Sequence, residues 1–268
     1  MIRIWGNVTM WNHVEYGAGR PLVLLHGFGM SHKAWKAVIP LLATTRRVIA
    51  FDTAGFGDSP ELAAEIEPTI ANLTVALRQQ LIALGIDEPV DIVGNSMGGW
   101  IALEAARLGF ARSVVAISPA GLWLTPPKHI MPIFFGLRRT ARMLPRVTAW
   151  VMKNDVLREL FLAVPISNGA RHMPVEDAIA AANDFAHAPG FERTFSSTLR
   201  FSDGESIAAS VPITIAFGTK DWLLTRHTAQ RRDVLPQHIQ WLTPKDWGHV
   251  PMWKDPEGVS ALILNHTV

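Results

Sequence analysis

Val90-Asp91-Ile92-Val93-Gly94-Asn95-Ser96-Met97-Gly98-Gly99 is an apolar run that closes in Gly-x-Ser-x-Gly, and a helix-like stretch, Trp100 to Leu108, follows at once. That order reads as strand, sharp turn and helix with a serine at the apex. The glycines suit a turn too tight for side chains beside the serine, whose own backbone is strained there. The hydroxyl is left projecting from the top of a sheet, and the helix amides behind it can face a developing negative charge.

Working outward, other short apolar runs alternate with helical patterns. Pro21 to Leu25, Val48 to Phe51, Val114 to Ile117 and Ile213 to Phe217 read as buried strands, with Ile239 to Leu242 a weaker one. They are continuously apolar, as a parallel sheet covered on both faces requires. Ser31 can cap a helix running through Leu42. Pro68 can occupy the first turn of a helix whose Leu73, Leu77, Leu81 and Leu84 form one stripe, closed by Gly85. Asp255-Pro256-Glu257 opens a final helix. The alternation predicts an α/β fold, a doubly wound, mostly parallel sheet. It stops between about 121 and 205, in a stretch of helical character holding Pro126-Pro127, Ile133-Phe134-Phe135, Met143-Leu144, Val147 to Met152 and Asp177 to Phe185. Some eighty residues exceed any ordinary strand connection. We therefore expect a core of residues 1–120 and 206–268 and an inserted helical cap, or lid, of 121–205 over the ligand-binding end of the sheet.

Composition narrows the chemistry. The chain has 268 residues, 49% hydrophobic, with ten Trp and a formal charge of +2. That charge is too small to argue for nucleic acid. The absence of cysteine excludes a thiol nucleophile, an iron–sulfur cluster and a Cys-ligated zinc. No His-Glu-x-x-His spacing suggests a metal. Met1-Ile2-Arg3-Ile4-Trp5-Gly6 lacks the apolar core of a signal peptide, and no apolar run approaches the ~20 residues of a membrane span, so a cytoplasmic location is expected.

A serine hydroxyl needs a base, and the base an orienting acid. His249, in Trp247-Gly248-His249-Val250-Pro251, follows the last strand. Asp221, in Phe217-Gly218-Thr219-Lys220-Asp221, follows the strand before it. The order Ser96, Asp221, His249 is the one this architecture uses. The turn Ser118-Pro119-Ala120-Gly121 carries no carboxylate, and Asp246, three residues from His249, is a weaker rival to Asp221. For the oxyanion, backbone donors are expected at Met97 and at Phe28 in His26-Gly27-Phe28-Gly29, where Gly27 and Gly29 let the backbone approach a substrate. His26 reads as a brace for that loop. Phe28, Met30, Trp123, Trp222 and Trp253 are candidates for an apolar substrate pocket.

These motifs, together with Phe51-Asp52-Thr53-Ala54-Gly55-Phe56-Gly57-Asp58-Ser59, resemble the α/β-hydrolase superfamily, in particular its serine-esterase-like members. The resemblance covers most of the chain outside the insertion. It implies attack of Ser96 on the carbonyl of a small apolar ester, an acyl-enzyme, release by water, and no cofactor. It makes the Asp52 to Ser59 loop structural. Ser96 stands where dehalogenases of this fold carry Asp. Asn-Ser-Met-Gly-Gly also resembles carbon–carbon hydrolases of ring-fission products, but those carry an aromatic residue after the Gly-His, where this chain has Val250. Thioester hydrolysis, acyl transfer, cofactor-free haloperoxidase-like chemistry and a non-catalytic small-molecule receptor are the alternatives, in a monomer or homodimer.

From Lys128 to Arg158 the insertion is basic and greasy. Lys128, Arg138, Arg139, Arg142, Arg146, Lys153 and Arg158 face one acid, Asp155, with Phe134, Phe135, Met143, Leu144 and Trp150 between them. A cap helix with a buried apolar face and a solvated charged one accounts for this pattern. A surface for anionic lipid, or for an acyl carrier, is the sharper reading.

Overall fold

The computed structural model describes residues 9–124, 130–197, 206–225 and 229–268. The N-terminal segment Met1 to Gly6, Pro126-Pro127 and Lys128 therefore lie outside the described residues. Among the described residues seven strands form one sheet: β1 (His13–Tyr16), β2 (Pro21–Leu25), β3 (Arg47–Phe51), β4 (Val90–Asn95), β5 (Ala111–Ile117), β6 (Ile213–Ala216) and β7 (Gln240–Leu242). Their order is β1-β3-β2-β4-β5-β6-β7, antiparallel at β1 and parallel elsewhere. The chain passes outward from β2 to β3, then crosses back to β4 on the other side of β2. The loops leaving β2 and β4 therefore diverge at adjacent carboxyl ends, with Leu25 opposite Gly94. Such a switch point opens a crevice for a ligand.

The short apolar runs have their cause in two-sided burial. Val23, Leu25, Ile49, Phe51, Ile92, Val114 and Ala116 point into one core. Leu22, Leu24, Val48, Ala50, Val93, Val115 and Ile117 point into the other. On the first face lie α2 (Ile70–Ala83) and α3 (Met97–Arg107); on the second lie α1 (Ile39–Leu42) and α10 (Pro256–His266). Leu73, Leu77 and Leu81 of α2 are fully buried, each contributing about 1.5–3 kcal/mol. Truncating Leu77 to Ala would cost about 2–5 kcal/mol.

Three boundaries differ from the sequence reading. Ser31 accepts a hydrogen bond from the Lys33 amide, but the element it opens is a single 3-10 turn, His32–Trp35. A separate α1 follows because Pro40, lacking an N–H, cannot continue the earlier helix. Thr69, not Pro68, heads α2, its Oγ1 accepting from the Asn72 amide at 3.2 Å. β1 is a short edge strand with no apolar run to announce it. Asp255 caps α10 as expected, accepting from the Gly258 amide.

Between β5 and β6 lie α4 (Met131–Met143), α5 (Pro145–Lys153), α6 (Asp155–Phe161), α7 (Ala163–Ile166), α8 (Val175–His187) and α9 (Phe191–Ser196). Polar ties join this group to the sheet layer. Ser31 Oγ donates to Asp184 at 2.6 Å, Lys33 pairs with the same carboxylate at 3.0 Å, and the Gly190 amide donates to the Gly55 carbonyl at 2.8 Å. Arg138 turns inward, donating to the Phe185 and Ala188 carbonyls while its guanidinium lies 4.5 Å from the Phe191 ring centroid. Arg158 is likewise buried, donating to the Ala170 and Arg171 carbonyls. These two cations hold helices together and do not belong to the outer basic surface.

Candidate active site

Every residue from Val90 to Ala106 is buried except Ser96, which is half-buried. Its backbone sits at φ 53° and ψ −112°, outside the regions an L-residue favours. Such a conformation costs about 1–3 kcal/mol and persists only where neighbours over-determine it. Here the Ser96 amide donates to the Ile117 carbonyl at 2.9 Å, and the Ser96 carbonyl accepts from the Trp100 and Ala120 amides at 3.1 and 2.9 Å. The tightness explains the flanking glycines. A Cβ on Gly94 would lie 2.1 Å from the Gly98 carbonyl carbon, and one on Gly98 would lie 2.3 Å from the Leu25 carbonyl oxygen.

His249 is buried and lines the same cavity as Ser96. Its Nδ1 is 3.0 Å from Asp221 Oδ2, while Asp221 Oδ1 accepts from the Leu223 and Leu224 amides at 3.0 and 2.8 Å. With a carboxylate as its neighbour, Nδ1 carries the proton and Nε2 is left as an acceptor. Asp246 is exposed, and its amide and carbonyl are engaged by Thr219, Asn168 and Lys254. The structure brings Asp221, rather than Asp246, to His249.

Asn95 was not singled out in the sequence, yet it ties these parts together. Its Nδ2 donates to the carbonyls of Ile117 at 3.1 Å and His249 at 2.8 Å, so the end of β4 holds the backbone of the histidine. No local pattern signals this role, because both acceptors arrive through tertiary structure.

Among the described residues, neither the Phe28 nor the Met97 backbone N–H donates to a protein acceptor. Met97 opens α3, where the first amides have no intrahelical partner. The Gly98 amide donates to the His26 carbonyl at 3.1 Å and so draws the β2 loop against the serine turn. His26 is fully buried. Its Nε2 accepts from the Thr53 amide at 3.0 Å, so Nδ1 carries the proton and donates to the Gly27 carbonyl at 2.8 Å. Burial pushes its pKa down, and the neutral ring acts as a brace. Asp52 beneath it accepts from Asn12, the amide and ring of His32, and the Asp58 amide. Burial alone would raise the Asp52 pKa. The hydrogen bonds from the His32 ring and amide and from the Asp58 amide outweigh it and hold the carboxyl well below the usual range.

Ser96 and His249 open into a cavity of about 670 Å³. Phe28, Met30 and Trp123 line it, as anticipated. Trp222 and Trp253 do not, which corrects the sequence reading. Trp222 is 61% exposed, because Ser167 holds its amide and the ring turns to solvent. Trp253 packs into the core on the α10 side of the sheet. Much of the remaining wall comes from the inserted helices, including Phe134, Phe135, Phe161, Phe185 and Phe195, with Ile70, Trp100, Leu223 and Leu224 completing it from the sheet layer. The Phe28 ring lies 4.6 Å from Phe191 of α9, so the β2 loop and the insertion share one aromatic cluster. The run Ile133-Phe134-Phe135 was visible in the sequence as a greasy segment, without any sign that it faced the site.

A family model described as the alpha/beta hydrolase family matches residues 22–262. RutD of Escherichia coli (strain K12), whose name assigns it provisionally to carbamate hydrolysis, is 27% identical over 253 residues, which cover 93% of this chain and 92% of that protein. Among solved structures, CarC, a serine hydrolase involved in carbazole degradation, is 25% identical with a TM-score of 0.70, covering 95% of this chain and 93% of that one. The naproxen esterase of Bacillus subtilis has a TM-score of 0.73 at 20% identity, over 94% of this chain and 86% of that one, a likeness of fold alone. No helix among the described residues is long and apolar enough to cross a membrane. From the switch-point crevice, the serine turn and the match across nearly the whole sheet, the chain belongs to the alpha/beta hydrolase family.

Proposed function

We propose that the protein is a serine hydrolase that cleaves a carboxylic ester with an apolar acyl or alcohol part. The observation that carries this reading is the strained, half-buried Ser96 opening into the same cavity as His249, whose Nδ1 lies 3.0 Å from Asp221. His249 Nε2 takes the Ser96 proton as Oγ attacks the ester carbonyl. The Phe28 and Met97 amides receive the oxyanion, and the start of α3 adds its dipole. His249 then returns the proton to the departing alcohol oxygen. A water, deprotonated by the same nitrogen, attacks the acyl carbon; the acyl–Oγ bond breaks, His249 passes the proton to Ser96 Oγ, and the acid leaves. The inserted helices act as a cap that excludes water from these steps, and their phenylalanines select an apolar substrate.

The names of RutD, a provisional carbamate hydrolase, and of CarC, a serine hydrolase, support a hydrolytic role for the serine turn. The test is turnover of p-nitrophenyl esters beside a ring-fission dienone. Ser96→Ala should lower ester turnover by about four orders of magnitude or more, and Asp221→Asn by a comparable factor, with circular dichroism unchanged. Near-native turnover in Ser96→Ala, or a loss in Asp246→Asn in place of Asp221→Asn, would overturn the mechanism. Rapid cleavage of the dienone with the esters untouched would overturn the substrate class.

A further inference from the structure

The outer face of the insertion breaks the usual pattern of a solvated helix. On α5, Thr148 and Met152 are buried, yet the opposite side presents apolar groups in place of polar ones. Met143 and Leu144, just before α5, and Val147 and Trp150 on it recur at helical spacing, with Met143 62% and Trp150 63% exposed. The next helix continues the stripe: Val156 and Leu160 of α6 lie one turn apart and are 63% and 69% exposed. Six large apolar side chains exposed on two successive helices and the junction before them are unusual on a soluble surface and mark a contact face.

Four cations frame the stripe. Arg139, Arg142, Arg146 and Lys153 are exposed, and among the described residues none of them makes an ion pair. Two acids lie on α6: Asp155 is paired with Arg158 at 2.6 Å, and the Glu159 carboxylate accepts from the Gly169 and Arg171 amides at 3.0 and 2.7 Å. The face therefore sets six exposed apolar side chains beside four cations that have no ion-pair partner among the described residues, while both of its acids are already engaged.

We propose that this face of α5 and α6 docks the protein on an anionic lipid surface. Phosphate headgroups neutralise the four cations while Trp150, Val147, Leu160 and their neighbours enter the boundary with the acyl chains. A symmetric contact with a second copy would set the same cations against one another, which costs free energy. An acidic protein would answer the cations and leave six large apolar side chains facing its charges. Lipid supplies both chemistries in the order in which the face presents them, and tryptophan favours that interface. The inner sides of α4 and α6 carry Phe134 and Phe161 into the cavity, so docking brings the cavity wall beside the source of an apolar substrate.

The test is flotation of the chain with vesicles of phosphatidylcholine alone or containing about 30 mol % phosphatidylglycerol. Binding should require the anionic lipid and should be released by about 0.5 M NaCl. Each cation near such a surface contributes about five-fold, so the double variant Arg142→Gln, Arg146→Gln should lower the partition coefficient about 25-fold. Trp150→Ser should weaken binding through the apolar component alone. Both variants should turn over a water-soluble ester at the parental rate, which separates failure of docking from failure of the chemistry. Equal binding to both vesicle types, or binding indifferent to the variants, would overturn the proposal. So would a dimer that Trp150→Ser dissociates, or vesicles left unbound while Arg142 and Arg146 are needed only for acyl groups on an acidic carrier protein.

Discussion

Replacing Gly98 by Ala adds one methyl group at the joint between the serine turn and the β2 loop. Its Cβ would lie 2.3 Å from the Leu25 carbonyl oxygen, 2.6 Å from the Leu25 carbonyl carbon and 2.7 Å from the His26 carbonyl oxygen. All three are backbone atoms, and no side chain can swing aside to make room. Ordinary contact requires the joint to open by about 1 Å, against a hydrogen bond from Gly98 to His26 that now closes it. Met97 and Phe28 stand on opposite sides of this joint, so their two amides separate by a similar amount. A displacement of that size costs about 100-fold in a positioned reaction, within the range for losing one oxyanion donor. The predicted result is a kcat for p-nitrophenyl ester hydrolysis about 100-fold lower with little change in KM, because the donors act in the transition state. Overpacking should also lower stability by about 1–3 kcal/mol in urea unfolding. Gly136→Ala is the control. A Cβ there meets nothing within 4 Å, and the position lies inside α4. It should leave kcat unchanged and raise stability by about 0.5–1 kcal/mol. A folded Gly98→Ala enzyme with kcat within about two-fold of the parent would refute the reasoning, as would a loss confined to KM.

Acidification should destabilise the protein in two windows. His26 has a lowered pKa in the fold, so its share of stability is present above about pH 6.5 and declines below it as the unfolded chain takes up a proton first. Asp52, also lowered, contributes fully above about pH 4 and loses that contribution as pH falls further. Urea midpoints measured across both windows should fall at each step, and Asp52→Asn should flatten the lower one at a cost of about 3 kcal/mol near neutrality. A midpoint that rises on acidification contradicts both assignments. Asn95→Asp would set a carboxylate against the carbonyls of Ile117 and His249, in place of a donor to both. Thermal unfolding should show a loss of about 2–5 kcal/mol, with kcat reduced about ten-fold or more; unchanged kcat would remove Asn95 from the support of His249.

The parts legible in the sequence are those whose signals are local. Two-sided burial wrote the central parts of β2 to β6 as short apolar runs, interrupted by a few polar residues such as Asp91 and Thr214. The turn at Ser96 was legible because its packing tolerates only glycine at positions 94 and 98, where a side chain would meet backbone. Asp221 and His249 were legible from their places after successive strands. β1 escaped because it is a four-residue edge strand, half exposed, containing His13 and Glu15. Trp222 and Trp253 were misplaced because an apolar side chain next to a site residue says nothing of which way the loop turns it. The division between Arg138 and Arg158, turned inward, and Arg139, Arg142, Arg146 and Lys153, turned outward, depends on how six helices pack. That packing has no local signature. For the same reason the cavity wall was invisible until α4, α8 and α9 were placed around Phe28.

The central claim is that Ser96 is a nucleophile activated by His249. Labelling the protein with a fluorophosphonate, followed by peptide mapping, tests it most directly. The account predicts one phosphonylated residue, Ser96, with labelling suppressed in Asp221→Asn and in His249→Ala and abolished by prior unfolding. Labelling of any other residue, or no labelling of a folded protein that still hydrolyses esters, would contradict it.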